Sequence, residues 1–176
     1  MTSANDEPDT PAESSTDASS AVEAWLDAFD SALGSGDVDA ATGLFTDDGL
    51  WRDLVAFTWN IKTIEGRDEI ADMLHARLAS TDPSGFTTRE TPTQDGDVTS
   101  AFIEFVTAGG RGVGHLRLKG DQAWTLLTAL QELKGHEERK GTTRVLGAVH
   151  GDDPDPRSWA EKRAEEDASL GSTVQP

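Results

Sequence analysis

The sequence contains no cysteine and no tyrosine among its 176 residues. The first absence excludes disulfide scaffolds, thiolate metal sites and cysteine nucleophiles. The second leaves no phenol to act as an acid or as an oxyanion donor. No apolar run approaches the ~20 residues of a membrane span, and the N-terminus lacks the apolar stretch of a signal peptide. A soluble, cytoplasmic protein is therefore expected. Basic residues are scarce, and the net charge is −18. A field of that sign repels phosphate backbones and anionic lipid, which argues against nucleic-acid and membrane partners. The four histidines, at 75, 115, 136 and 150, have no metal-site spacing, so no metal is expected.

What remains is enough for one ordinary domain with its own core. Residues 1–19 hold almost nothing apolar and read as a disordered acidic leader. Residues 20–23, Ser-Ala-Val-Glu, have the form of a capping box. Val22, Trp25, Leu26, Phe29 and Leu33 follow at helical spacing, and Gly34 ends the run. Asp37 is placed to cap a short second helix carrying Val38, Ala41, Leu44 and Phe45. After the segment FTDDGLWRDLVAFTWNIKTIEG, residues 66–80 make a third helix with Ile70, Met73, Leu74 and Leu78 on one side. From Phe86 the texture is that of strands: FTTRETPT, VTSAFIEFVTA, RGVGHLRLK and QAWTLLTALQEL, separated by QDGD, GG and GD turns.

These elements predict an α+β domain over residues 20–134, a curved antiparallel sheet with about three N-terminal helices on one face. Residues 135–157 read as a connector. Ser158 and Glu161 form a second capping box, opening a charged helix over 158–170 before a tail at 171–176. Lys162–Glu166 and Arg163–Asp167 are spaced for i,i+4 pairs there, each contributing about 0.2–0.5 kcal/mol.

The candidate chemistry centres on Asp53, which stands between two of the five tryptophans. In an extended chain Trp51, Asp53, Val55, Phe57 and Trp59 share one face. An aspartate among rings is desolvated, which suits a general base. Alternatively the chain turns after Asp53, the stretch LVAFTW makes a short helical piece, and the carboxylate caps it or pairs with an arginine. Both readings stay open at this level. His115, with Val113 and Arg117 on its face, is a candidate partner, and Val113 and Trp124 join the candidate pocket residues. Asp47-Asp48-Gly49 reads as a solvated turn. The glycines at 109, 110, 112 and 114 miss the G-x-G-x-x-G offsets of a dinucleotide loop and read as a hairpin turn.

The order of two helices, Phe45-Thr-Asp-Asp-Gly-Leu-Trp-Arg-Asp53, then Gly-Arg-Asp-Glu-Ile and the meander resembles the nuclear transport factor 2-like superfamily. That group includes SnoaL-like polyketide cyclases and ketosteroid isomerases. The resemblance covers residues 21–133 and implies a cone closed by helices around an apolar pocket. It assigns Asp53 the role of base, while the missing tyrosine departs from the isomerase pattern. WRDLVAFTWNIKTIEGRDEI, GHLRLK, AWTLLTALQELKGHEE and WAEKRAEE further resemble the N-terminal domain of bacterial flavin-containing monooxygenase-like proteins. That resemblance implies an accessory domain whose FAD- and NADPH-binding body is missing, so no cofactor is expected in this chain. A hydrophobic small molecule, a second copy or a flavoprotein body are the implied partners. The alternative is a free-standing isomerase, cyclase or hydrolase using Asp53.

Overall fold

The computed structural model describes residues 11–144 and 157–169. The chain divides into two compact units, 1–138 and 139–176. In the first, α1 (Pro11–Ser35) and α2 (Val38–Gly43) precede β1 (Phe45–Leu54) and β2 (Ile61–Glu65). Then come α3 (Gly66–Thr81), β3 (Ser84–Thr88), β4 (Thr93–Asp95), β5 (Val98–Thr107), β6 (Gly110–Lys119) and β7 (Gln122–Leu133). The α+β architecture and the meander follow the sequence reading. Helix α1 buries Val22, Trp25, Leu26, Phe29 and Leu33, and Trp25 donates its Nε1–H to the Leu44 carbonyl at 2.9 Å. Asp37 caps α2 by accepting from the Ala40 amide. Gly36, at φ 73°, ends α1 two residues after Gly34.

Four expectations are corrected. Helix α1 starts at Pro11, so Ser20 lies inside it and caps nothing, and residues 11–19 are helical. A proline in the first turn and polar helix formers are compatible with that extension, whereas composition alone reads them as leader. Phe45 opens β1 and does not belong to α2. The sheet is mixed: its order is β2-β1-β7-β6-β5-β3 with β4 on β5, and β1 runs parallel to β7. Hairpin turns dictate antiparallel neighbours locally, but nothing local governs two strands separated by the whole meander. The sheet is curved and open-edged. Asp47 and Asp48 lie in an irregular stretch of β1, exposed, with Asp47 paired to Arg67 at 2.8 Å.

The concave face of the sheet meets α1, α2 and α3 over one aromatic core. Phe29, Phe86, Phe105, Phe57 and Trp51 form a closed circuit of ring contacts at 4.8–6.0 Å between centroids. Trp25 and Phe45 extend it. Burying each ring stabilises the fold by about 1.5–3 kcal/mol, and together they fill the space a cone would otherwise leave open.

The glycines of β6 serve this packing. A Cβ on Gly112 would fall 2.3 Å from the Phe105 ring, and one on Gly114 would fall 2.4 Å from the Leu127 carbonyl of β7. A main-chain oxygen cannot swing aside as a side chain can. Gly114→Ala is therefore expected to destabilise the domain by roughly 2–3 kcal/mol, read as a lower urea midpoint, while leaving the helical signal in circular dichroism unchanged at zero denaturant.

In the second unit a short 3₁₀ turn (Gly141–Thr143) precedes α4 (Trp159–Ser169). Its capping box is present: the Glu161 amide donates to Ser158 Oγ at 3.3 Å, and the Ser158 amide donates to Glu161 at 2.7 Å. That bond is the main reason the Glu161 carboxyl sits below its ordinary value. Arg163 places its guanidinium 5.2 Å from the Trp159 ring centre and forms no pair with Asp167. The expected leader at 1–10, much of the connector and the tail lie outside the described residues.

Candidate functional site

Asp53 is fully buried near the end of β1, between β2 and β7. Five donors converge on its two oxygens. Oδ1 accepts from the amides of Ala56 and Phe57, both at 3.2 Å, and from the Thr128 hydroxyl at 2.8 Å. Oδ2 accepts from the Phe57 amide at 3.1 Å, the Thr58 amide at 2.8 Å and the Thr58 hydroxyl at 2.7 Å. Thr128 in turn accepts the Trp51 Nε1–H at 2.8 Å. A carboxylate offers about four lone-pair positions, and all are engaged. The successive amides form an anion-holding nest. Of the two readings of the sequence, the second holds in part. The chain turns after Asp53 and the carboxylate caps that turn, but the short helical piece expected over LVAFTW does not form, because Val55 and Trp59 take left-handed backbone.

The alternation expected through Trp59 stops at Leu54. Val55 (φ 59°) and Trp59 (φ 55°) both lie in the left-handed region, and residues 55–60 form no helix or strand. Trp51 and Phe57 remain inside, in the ring circuit. Val55 is half-buried, and Trp59 points outward, 61 % exposed, so neither continues the inner face.

His115 and Asp53 are not brought together. Asp53 pairs with Thr128, and Thr128 with Gly114, on the inner face; His115 is one residue further and faces the other side of the sheet. Val113 shares that outer face. Trp124 lies at a register shift on it, beneath the guanidinium of Arg117 at 4.8 Å and the ammonium of Lys119 at 3.7 Å. His115 packs on Phe102 with ring centres 4.7 Å apart. Burial, and secondarily the charge of Arg117, lower its pKa below the ordinary 6.5. The unfolded chain therefore binds this proton at higher pH than the folded one, so the contribution to stability is complete above pH 6.5 and declines below it. A proton-NMR titration of His115 is expected to give a midpoint under 6.5. Arg117→Gln is expected to recover only part of the difference, because burial is the larger cause.

The clefts described on the surface are lined by other residues. One of about 550 Å³ lies between the 58–62 stretch and α3, bounded by Thr58, Asn60, Lys62, Glu69, Asp72 and Arg77. Among the described residues no cluster of three or more His, Asp or Glu is arranged to hold a metal ion, and no helix is long and apolar enough to cross a membrane. Glycines 109, 110, 112 and 114 sit in the β5–β6 turn and in β6, with no helix after them, so they form no nucleotide loop. The residues that sequence reasoning missed are Thr58 and Thr128, which complete the carboxylate's shell. Thr58, five residues after Asp53, was a weak local signal; Thr128 had none.

The fold is shared with solved structures of low sequence identity. A ketosteroid isomerase-like protein from Erwinia carotovora is 17 % identical, with a TM-score of 0.51, covering 63 % of this chain and 94 % of its own. Rv3472 of Mycobacterium tuberculosis, a protein of unknown function, is 18 % identical with a TM-score of 0.55, covering 73 % and 80 %. An NTF2-like protein with a cystatin-like fold from Novosphingobium aromaticivorans is 19 % identical, with a TM-score of 0.49, covering 68 % and 82 %. None of the curated proteins matches. At these identities the likeness to the first two establishes the fold and no activity. The model of the SnoaL-like domain matches residues 22–126, more than half of the chain, with Asp53 and the 56–58 donors inside the match and Thr128 just beyond it, and the protein therefore belongs to the SnoaL-like family.

Proposed function

We propose that this SnoaL-like domain acts as an interaction module that shapes a hydrophobic substrate's access to a flavin-containing monooxygenase-like body. In this reading its outer sheet face and α4 are docking surfaces, and it performs no redox chemistry itself, since that belongs to the cofactor. The observation that carries the reading is the outer face of the sheet. Phe102 (51 % exposed) and Ile61 (62 %) flank half-buried Leu54, Leu127, Val113 and Ala129, with Arg52, Arg117 and Glu104 around them. An apolar centre with a charged rim is the anatomy of a protein interface. The link to a flavoprotein rests on the resemblance of the four sequence segments.

Light scattering of the chain, alone and mixed with a flavin-containing monooxygenase-like body, tests this. A dimer or a complex is expected, and the double variant Phe102→Glu/Leu127→Glu is expected to dissolve it. A monomer under both conditions would overturn the proposal.

A second reading, proton transfer by Asp53 on a hydrophobic substrate, is favoured by the burial of that carboxylate against Trp51 and Phe57. It requires residues 55–60 to move, because every lone pair of Asp53 is engaged by a donor. Loss of turnover in Asp53→Asn with an undiminished fold would support it.

A further inference from the structure

The join between β1 and β2 combines features that belong together only if it moves. Val55 and Trp59 hold left-handed backbone, φ 59° and 55°. A β-branched or bulky residue there is a genuine outlier. Such strain persists only where surroundings over-determine it, and it concentrates at clamps and switches. The clamp here is one carboxylate. Three successive amides and the Thr58 hydroxyl close onto Asp53, and Val55 N–H bonds back to the Asn60 carbonyl at 3.0 Å. The remaining tie from this segment to α3 is a 3.5 Å bond from Thr81 to the Phe57 carbonyl.

Phe57, midway along, is fully buried with its ring 4.8 Å from Trp51 and 6.0 Å from Phe105. Thr58 and Asn60 of the same segment line part of the 550 Å³ cleft along α3. The segment thus has a buried plug, open volume beside it, strain in its backbone and one carboxylate that takes most of its polar ties.

We propose that residues 55–60 are a latched lid. Closed, Phe57 plugs the aromatic interior. Open, the lid withdraws that ring and uncovers a slot between Trp51 and Phe105 sized for one aromatic ring, with Asp53 at its wall. Opening strips Asp53 of the four donors the lid supplies and leaves it Thr128 alone. The ligand that fits is therefore a neutral single ring carrying an O–H or N–H donor: the ring replaces Phe57 and the donor replaces Thr58. A ring without a donor leaves the carboxylate unsatisfied, and an anionic ring is repelled by it. This inference is independent of the docking proposal, because the outer sheet face takes no part in it.

Amide hydrogen exchange with phenol, toluene and benzoate as probes tests the lid. In the unliganded protein the amides of Ala56, Phe57 and Thr58 are expected to exchange together, well before those of β6. Thr58→Val, which removes one bond to a charged group, is expected to speed them roughly tenfold or more with β6 unchanged. Val55→Gly, which relieves the strain, is expected to slow them. Phenol is expected to shift the Trp51 indole N–H signal, more weakly toluene, and benzoate not at all. Its apparent affinity should rise in Thr58→Val by the same factor as the opening. Phe57→Ala, which removes the plug, is expected to bind phenol without lid opening, as apolar cavities of ring size do. Exchange of the three amides only with β6, or no shift of Trp51 by phenol in either the Thr58 or the Phe57 variant, would overturn the lid. Equal binding of phenol and toluene by the Thr58→Val protein would overturn the part assigned to Asp53. The oligomeric state is read separately, so failure of the lid and failure of the docking proposal are distinguishable.

Discussion

Asp53→Asn is expected to lower folding stability by roughly 3–5 kcal/mol, a large share of the 5–15 kcal/mol typical of a domain. The carboxylate serves five donors from a position with no solvent exposure. An asparagine keeps the shape and offers one carbonyl oxygen, which accepts at most two of them. Its NH₂ group then faces amides that also donate. Water cannot fill the deficit at a fully buried atom, so each stranded donor retains its desolvation penalty. Urea denaturation should show a lower midpoint with an unchanged slope. Thr128→Val makes the control: it removes one donor to Asp53 and the acceptor of Trp51 Nε1–H, and a smaller loss, about 1–3 kcal/mol, is expected. If Asp53 were held for proton transfer alone, Asp53→Asn would keep its urea midpoint and lose only turnover.

The same residue shows where sequence reading reaches and where it stops. Apolar spacing placed α1 and α3, and the QDGD, GG and GD turns placed the meander, because these signals are local and periodic. Both outcomes for Asp53 were legible, but not the choice between them. The turn that decides it is made by Val55 and Trp59 at positive φ, and valine is among the last residues expected there. A glycine or asparagine at 55 would have announced the turn. Thr128 lies 75 residues from Asp53 and reaches it only through the β1–β7 parallel pairing, which no hairpin signal encodes. The faces of His115 and Asp53 follow from the same register: each strand's alternation is readable, but which parity meets which needs the pairing. The helical stretch 11–19 was hidden for a different reason. Its composition is that of a leader, and helix propensity is a weak prior that neighbouring structure overrides.

Phe29→Ala is expected to cost about 3–5 kcal/mol. The ring is fully buried and lies 4.6 Å from Trp25, 5.2 Å from Phe86, 5.7 Å from Trp51 and 6.0 Å from Phe45. The cost of such a truncation depends on how far the surroundings can collapse into the space. Here the neighbours come from α1, β1 and β3, and Trp25 and Trp51 are tied by hydrogen bonds to Leu44 and Thr128, so they cannot follow the missing ring without breaking those bonds. A void is therefore left, and the loss falls near the upper part of the range. Phe102→Ala, on the outer face and half exposed, supplies the contrast at about 0.5 kcal/mol or less in the monomer. Urea midpoints of the two variants, read at a concentration where the protein is monomeric, separate a filled cone from an open one. A Phe29 variant no less stable than the Phe102 variant would mean that the rings do not form a packed interior, and the Asp53 shell, whose donors are positioned by Trp51 and Phe57, would lose its support with them.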